Sequence, residues 1–509
     1  MEILSYFALV FTVPNLIAAV LGTMVGIILG ALPGCTPSLG LAIFIPITYT
    51  MDPATALIYL GSIYAGGMYG GTITAILINV PGTAAAAAAT IDGFKMTKHG
   101  RAAEALVEAA CSNFFGSVFG IIILLFMAPS LARIAFEFGP QENFMLALFG
   151  LTVIASLSTK NMLKGIITGL FGLLLACIGM DPMYGRNRLT FGNHLLSAGL
   201  QLVPVVIGLF AFAMVIATLS AKKTGNDTSE IDNLEIGKIT LSPKNLIHYP
   251  AAYLRSSIIG TIVGIIPGTG GEVASFVSLN QGQMWSGKRI TERDKETGWC
   301  EGLACVQAAN GAVTGGTIIP TLTLGVPGNA TTAILLSGLM IHGLTPGYEL
   351  FTRQAATTYP FILALLVASV LCLVIGVFGS PLVAKITKCP ANMLNACIMG
   401  LCIVGAFCIR NITGDLWVMF VFGFVGYFMK QFKFDVAPVL LGIILGKIAE
   451  KGLIQSLVLE KTISDVFASM AHRPVCIVLL VFMIICVAYP ILSQKHADKS
   501  RMTDTGKQP

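Results

Sequence analysis

Leu32-Pro33-Gly34-Cys35-Thr36-Pro37 interrupts one apolar run of this chain, and Ile266-Pro267-Gly268-Thr269-Gly270 interrupts another. Each break leads to a Gly-Gly-Thr (Gly70-Gly71-Thr72 and Gly315-Gly316-Thr317) and then to a second break. The second breaks are Val80-Pro81-Gly82-Thr83 and Val326-Pro327-Gly328-Asn329. The two sets lie roughly 235–246 residues apart, which makes them an internal repeat and the first thing the fold must explain.

The setting of the breaks is apolar. Of 509 residues, 55% are hydrophobic and 11% charged, with a mean hydropathy of +0.82. Soluble domains carry about 25% charged residues. Runs such as Phe115–Ala128 and Val475–Ile491 are continuously apolar rather than alternating, so they predict helices and exclude a membrane barrel. The expected fold is an all-α polytopic membrane protein of about 11–12 transmembrane helices. The net charge of +6 sits in short loops between apolar runs, a topology signal rather than a nucleic-acid footprint. The 12 cysteines fall mostly within apolar runs and form no Cys-x-x-Cys, as expected of small buried hydrophobes. The N-terminus lacks a basic lead-in and reads as a retained first span.

Spans are expected at 7–31, 106–128, 143–157, 163–180 and 199–220, then at 251–266, 358–378, 391–409, 412–429, 435–447 and 475–492. Pro14 is expected to kink the first. Between the breaks the pieces look too short for ordinary spans, and Gly66–Thr72 holds too many glycines for an uninterrupted helix, so re-entrant or discontinuous helices are expected. Asp92–Arg101 reads as a polar loop and Asp181–His194 as a polar connection. Four regions follow: a first transmembrane half with repeat one (1–220), a cytoplasmic linker (221–250), a second half with repeat two (251–492), and a cytoplasmic tail (493–509).

Loop charge predicts how the repeats are oriented. The loop after the first short piece is Met51-Asp52-Pro53 in repeat one, without Lys or Arg; its counterpart carries Lys288, Arg289, Arg293 and Lys295. The loop closing repeat one carries Lys95, Lys98 and Arg101; its counterpart, Ile341–Arg353, carries Arg353 alone. Basic loops face the cytoplasm, so equivalent loops lie on opposite sides and the repeats are inverted. Inverted repeats with broken helices meeting near the midplane are a transporter signature.

A break frees N–H groups that attract anions and carbonyls that coordinate cations. The candidate substrate and ion site therefore comprises the break residues Pro33, Gly34, Pro81, Gly82, Pro267, Gly268, Gly270, Pro327 and Gly328. Hydroxyls and amides beside them complete it: Thr36, Ser38, Asn79, Thr83, Thr269, Asn310, Thr314, Asn329 and Thr331. No Arg or Lys lies in the breaks, so a bound anion must be met by helix ends, amides and a co-bound cation. Glu272 is the one acid near a break; it reads either as a cation ligand or proton carrier, or as a helix cap at the water interface. A Na+ ion at backbone carbonyls near the breaks is the possible metal.

With these residues in view, the chain resembles the large membrane (permease) subunit of the tripartite tricarboxylate transporter family. The resemblance rests on Gly30-Ala31-Leu32-Pro33-Gly34, Tyr64–Leu77, Asn79-Val80-Pro81-Gly82 and Asp92-Gly93 in repeat one. In repeat two it rests on Gly264–Gly268, Gly315–Pro320 and Leu324-Gly325-Val326-Pro327-Gly328. It implies a bacterial inner-membrane symporter for citrate-like tricarboxylates or related carboxylates, driven by Na+ or H+ and using no other cofactor. It also implies two partners, a small four-helix membrane subunit and a periplasmic solute-binding protein.

Other readings are weaker. A gated anion channel can use the same half-helices, but channels usually arrange symmetric subunits around a pore, whereas this chain carries its own inverted pair. Gly282–Arg289 mimics a phosphate loop, yet Arg289 stands where Ser or Thr is required and no strand precedes it. The histidines are scattered and mostly in loops, so the sequence gives little support to a metal site built on them or to the acid, His or Cys constellation of an enzyme.

Overall fold

The computed structural model describes residues 2–32, 35–157, 162–181, 185–220, 248–267, 270–286, 290–386, 391–408 and 410–484. Pro33, Gly34, Gly268, Thr269, most of the 221–250 linker and the 493–509 tail lie outside them. The helices that matter here, in chain order, are α1 (Glu2–Val10), α2 (Val13–Ala31), α3 (Pro37–Thr48), α4 (Pro53–Ile78), α5 (Ala102–Phe136), α6 (Pro140–Leu157) and α7 (Met162–Ala176). Next come α8 (Leu202–Ser220), α9 (Pro250–Ile265), α10 (Gly270–Ser286), α11 (Cys300–Leu324), α12 (Ala330–Ile341) and α13 (Ala355–Val374). Last are α14 (Ala391–Cys408), α15 (Thr413–Gln431), α16 (Ala437–Glu460), α17 (Ile463–His472) and α18 (Pro474–Ile484). The described strands are a two-residue antiparallel pair, Gly179–Met180 with Asn187–Arg188, in the register Gly179↔Arg188 and Met180↔Asn187. The all-helical membrane fold expected from composition is what the chain adopts.

Four described helices are long and apolar enough to cross a membrane unaided: α2, α5, α8 and the Ala355–Val383 stretch that begins with α13. The pair α17–α18, bent by 90°, makes a fifth if read as one broken span. That is fewer than the 11–12 expected from apolar runs, because the remaining helices are short or diluted with Gly, Thr and Pro. Apolar side chains such as Val13, Phe126 and Trp417 stand exposed, an arrangement suited to lipid rather than water.

Three sequence expectations change. Pro14 does not kink a single span: α1 ends at Val10, the chain turns at Phe11-Thr12, and Pro14 sits in the first turn of α2, where its missing N–H costs nothing. Nor does the glycine-rich stretch break its helix. α4 runs unbroken from Pro53 to Ile78, and α11 unbroken through Asn310–Thr317. Their glycines serve packing instead. A Cβ on Gly66 would stand 2.5 Å from the Thr23 carbonyl oxygen of α2, and one on Gly22 would stand 2.5 Å from the Tyr59 carbonyl oxygen of α4. Backbones this close need residues without side chains, the usual device where helices associate in lipid. In repeat two, Gly316 of α11 meets the Thr261 carbonyl oxygen of α9 at 2.8 Å in the same sense. Asp92–Arg101 is also more ordered than a loop, forming a π-helical turn (Thr90–Phe94) and a helical turn (Lys95–Lys98).

The chain divides into two compact units. One comprises 1–136 and 203–427, the other 137–202 and 428–509, so each draws on both halves of the sequence. In the first unit α4 and α11 are central, with every residue of α4 from Ala56 to Leu77 buried. The helix that follows each repeat packs on the other repeat's glycine helix: α5 on α11, and α13 on α4. The second unit packs α6 and α7 on α16, held by the Arg473–Glu142 pair at 2.8 Å and by Arg188 on Glu450.

Candidate functional site

α4 and α11 lie along each other with opposite polarity. Tyr64 meets Thr317 (hydroxyl oxygens 2.8 Å apart), the Met68 carbonyl accepts from Asn310 Nδ2 (3.1 Å), and Thr72 donates to Gln307 Oε1 (3.0 Å). As the number rises on one helix it falls on the other. Thr72 and Thr317 are the same position of the repeated Gly-Gly-Thr, and each bonds into the opposite helix. The two repeats are therefore antiparallel at their centre, the relation that loop charge predicted.

The helices end alike. Asn79 (φ 57°) caps α4 and Gly325 (φ 67°) caps α11 in the left-handed region, and in each case the next N–H folds back: Val80 to Thr74 O, and Val326 to Pro320 O. Only Gly or Asn takes this conformation cheaply, which explains why these residue types precede each Val-Pro-Gly.

The short pieces after the breaks then pair crosswise. α3 follows the first break of repeat one and α12 the second break of repeat two. Each has 12 residues, about 18 Å of helix. Their amino ends meet through Ser38 Oγ and Thr331 Oγ1, 2.8 Å apart and buried. The complementary pair is α10, after the first break of repeat two, and the Ala85–Ala88 turn, after the second break of repeat one. A Cβ on Gly271 would lie 2.8 Å from Ala85 Cβ, 3.0 Å from Met68 Cε and 3.1 Å from Asn310 Oδ1.

Between these pairs the remaining break residues close up. Pro37 rests against Gly67, Thr83 against Gly71, and Thr317 against Gly328; a Cβ on Gly82 would overlap the Gly30 carbonyl oxygen. Gly270, at φ 62°, stands beside Asn329, and Pro267 is buried. Pro327 and Thr314 are likewise buried. The ends of the second break in repeat one behave differently: Asn79 and Pro81 are exposed, and Asn79 acts through its backbone. Glu272, half-buried, occupies the first turn of α10 beside the cluster.

Besides Ser38 and Thr331, three expected ligands have their side-chain oxygens engaged by the protein itself. Thr36 accepts from Leu39 N (3.3 Å), Thr83 from Ala86 N (3.2 Å), and Asn329 Oδ1 from Thr332 N (2.8 Å) within a capping box. Asn329 Nδ2 in turn donates to the Tyr64 hydroxyl at 3.1 Å. Thr317 gives its proton to Val313 O (2.9 Å), so Tyr64 donates to Thr317 and accepts from Asn329. Asn310 is different. Its amide nitrogen is fixed on Met68 O, and its oxygen is buried without a partner among the described residues, aimed at the first turn of α10. Among the described residues it is an expected ligand with a buried acceptor to offer.

Tyr64, Met68, Thr72, Gln307 and Thr317 were not among the expected site residues. Spacing to the breaks did not single them out. The available signal was a tyrosine and two threonines at matching places within otherwise small and apolar helices.

Antiparallel repeats whose short helices meet end to end inside the bundle define a multi-pass helical membrane protein of the transporter kind. The chain belongs to the tripartite tricarboxylate transporter TctA family, whose model matches residues 16–441. It is similar to an uncharacterized 52.8 kDa protein in the TAR-I ttuC' 3' region of Agrobacterium vitis, 31% identical over 508 residues and 99% of both chains. A second uncharacterized protein, in the TAR-II ttuC' 3' region of the same organism, is 28% identical over 245 residues, 48% of this chain and 98% of that one. Family membership makes this chain one component of a three-part transporter.

Proposed function

We propose that the chain is the large membrane subunit of a bacterial inner-membrane symporter that imports citrate-like tricarboxylates or related carboxylates with Na+ or H+. In this reading a periplasmic solute-binding protein delivers the anion and a small four-helix membrane subunit completes the membrane part. The observation that carries the reading is the crosswise meeting of α3 with α12 at Ser38 and Thr331. Two helix amino ends brought together present partial positive charge to one place, which suits a carboxylate without requiring Arg or Lys. Asn310 Oδ1 supplies the opposite chemistry. A buried oxygen acceptor beside the first turn of α10 suits a bare cation, and a cation next to the anion offsets its charge. Glu272 stands close enough in the chain to share that task, as a ligand or as the proton carrier in an H+-driven cycle.

Uptake into proteoliposomes containing both membrane subunits, supplied with binding protein and labelled carboxylates under imposed Na+ or H+ gradients, tests the reading. Accumulation above equilibrium, dependent on binding protein and on one of the gradients, is expected. Asn310→Ala should raise the half-saturating cation concentration roughly tenfold, the loss of one ligand contact of about 1.4 kcal/mol. Downhill flux indifferent to both gradients would instead identify a channel.

A further inference from the structure

Outside the transport site, three side chains of different chemistry converge where α5, α9 and α11 begin. Glu108 lies in the second turn of α5, His248 just ahead of α9, and Cys300 is the first residue of α11. One donor atom from each lies within 4.8 Å of the others. We propose that Glu108, His248 and Cys300 form a binding site for a divalent transition-metal ion of the zinc class. This proposal does not depend on what the transporter carries.

The geometry argues for it in three ways. His248 Nδ1 stands 3.5 Å from Glu108 Oε2, long for a hydrogen bond. A tetrahedral ion with bonds of about 2.0–2.3 Å to N, O and S sets its ligands roughly 3.3–3.6 Å apart, which that separation fits. Second, the ligands are held from outside the cluster. Tyr253 donates to the other Glu108 oxygen at 2.7 Å, leaving Oε2 free to face the ion, and the His248 ring is laid on Tyr249 at a 4.2 Å centroid distance. Such outer contacts orient ligands in metal sites. Third, the burial is graded: Glu108 and Cys300 are buried while the His248 side chain is 50% exposed. An ion can enter past the histidine and finish on the two anionic ligands, with the fourth position left to water. A neutral imidazole, a carboxylate and a thiolate form an ordinary mixed set for this ion.

Such an ion ties the chain after the 221–247 segment to the second turn of α5 and the first turn of α11. It fastens that junction without touching Ser38, Thr331 or Asn310.

The full-length protein in detergent, stripped of metal with chelator, is titrated with Co2+ and then Zn2+. One equivalent of Co2+ should bind with a thiolate-to-metal charge-transfer band, be displaced by Zn2+, and raise the thermal midpoint. Cys300→Ser should abolish the band. His248→Ala, at an exposed position where folding is not at risk, should weaken binding at least tenfold. Tyr253→Phe, which keeps all three ligands, should weaken it by about tenfold. Absence of stoichiometric binding, or binding unchanged in both C300S and H248A, overturns the proposal and leaves His248 and Glu108 as an ion pair only.

Discussion

Tyr64 shows how one side chain can hold the two repeats together. Its hydroxyl donates to Thr317 in the middle of α11 and accepts from Asn329 at the start of α12, while the ring is fully buried in α4. Removing the oxygen leaves the half-buried Asn329 amide without this partner. Tyr64→Phe should lower stability by about 1–3 kcal/mol and depress uptake, read by thermal denaturation in detergent and by transport; a midpoint equal to the parent's would show the network to be dispensable. Asp92 acts at the rim. Its buried carboxylate accepts from Trp299 N at 3.2 Å, joining the loop that closes repeat one to the start of α11. Burial pushes this carboxyl above the ordinary carboxylate range, against the opposing pull of the Trp299 N–H and Lys95. A folded-state pKa above the unfolded one means stability is lost as pH rises from the unfolded value, about 3.9, through the raised folded value. Asp92→Asn keeps an acceptor and does not titrate. Its thermal midpoint relative to the parent should therefore climb with pH across that window and then level off. A difference independent of pH would refute the assignment.

At the scale of elements, glycines decide which helices meet. Gly271 allows the first turn of α10 to close on Ala85 and Met68, whereas Gly400, on α14, faces open space. Gly271→Val should abolish uptake and destabilise the protein by about 1–3 kcal/mol through overpacking. Gly400→Ala should leave uptake unchanged and alter stability by no more than about 1 kcal/mol. Paired uptake and thermal-shift assays separate the two; a fully active G271V would remove the α10–Ala85 contact from the site. These contacts also explain a misreading. Glycine in a helix suggests a break when the helix is considered alone, because its intrinsic cost there is about 1 kcal/mol. Packed against a second backbone, as Gly66 is against Thr23, the same residue keeps the helix whole.

Across the whole of the first unit, charge and topology agree. The basic loops of the two repeats touch: Lys95 Nζ donates to Lys295 O (3.2 Å), and Arg101 reaches Thr297 and the Gly298 carbonyl (both 3.3 Å). The loops poor in basic residues also join, through Thr48 and His342 at 3.1 Å. Cysteines introduced at Thr50 and Glu292, both exposed, should therefore react with an impermeant maleimide from opposite sides of the membrane. Labelling of both from one side would contradict the antiparallel arrangement.

Composition, repeat and loop charge sufficed to reach a helical membrane protein with two inverted copies, because hydropathy and the bias of basic residues are properties of short segments. The same is true of the helix stops at Asn79 and Gly325, which depend on local backbone conformation. What the sequence alone could not decide is which break meets which. The crossing of α3 onto α12 and of α10 onto the Ala85 turn, the unbroken course of α4 and α11, and the open acceptor of Asn310 all arise between residues distant in the chain, such as Ser38 and Thr331 or Asn310 and Met68. Tertiary packing decides them, since only there does a glycine acquire a neighbouring backbone and a side-chain oxygen gain or lack a partner.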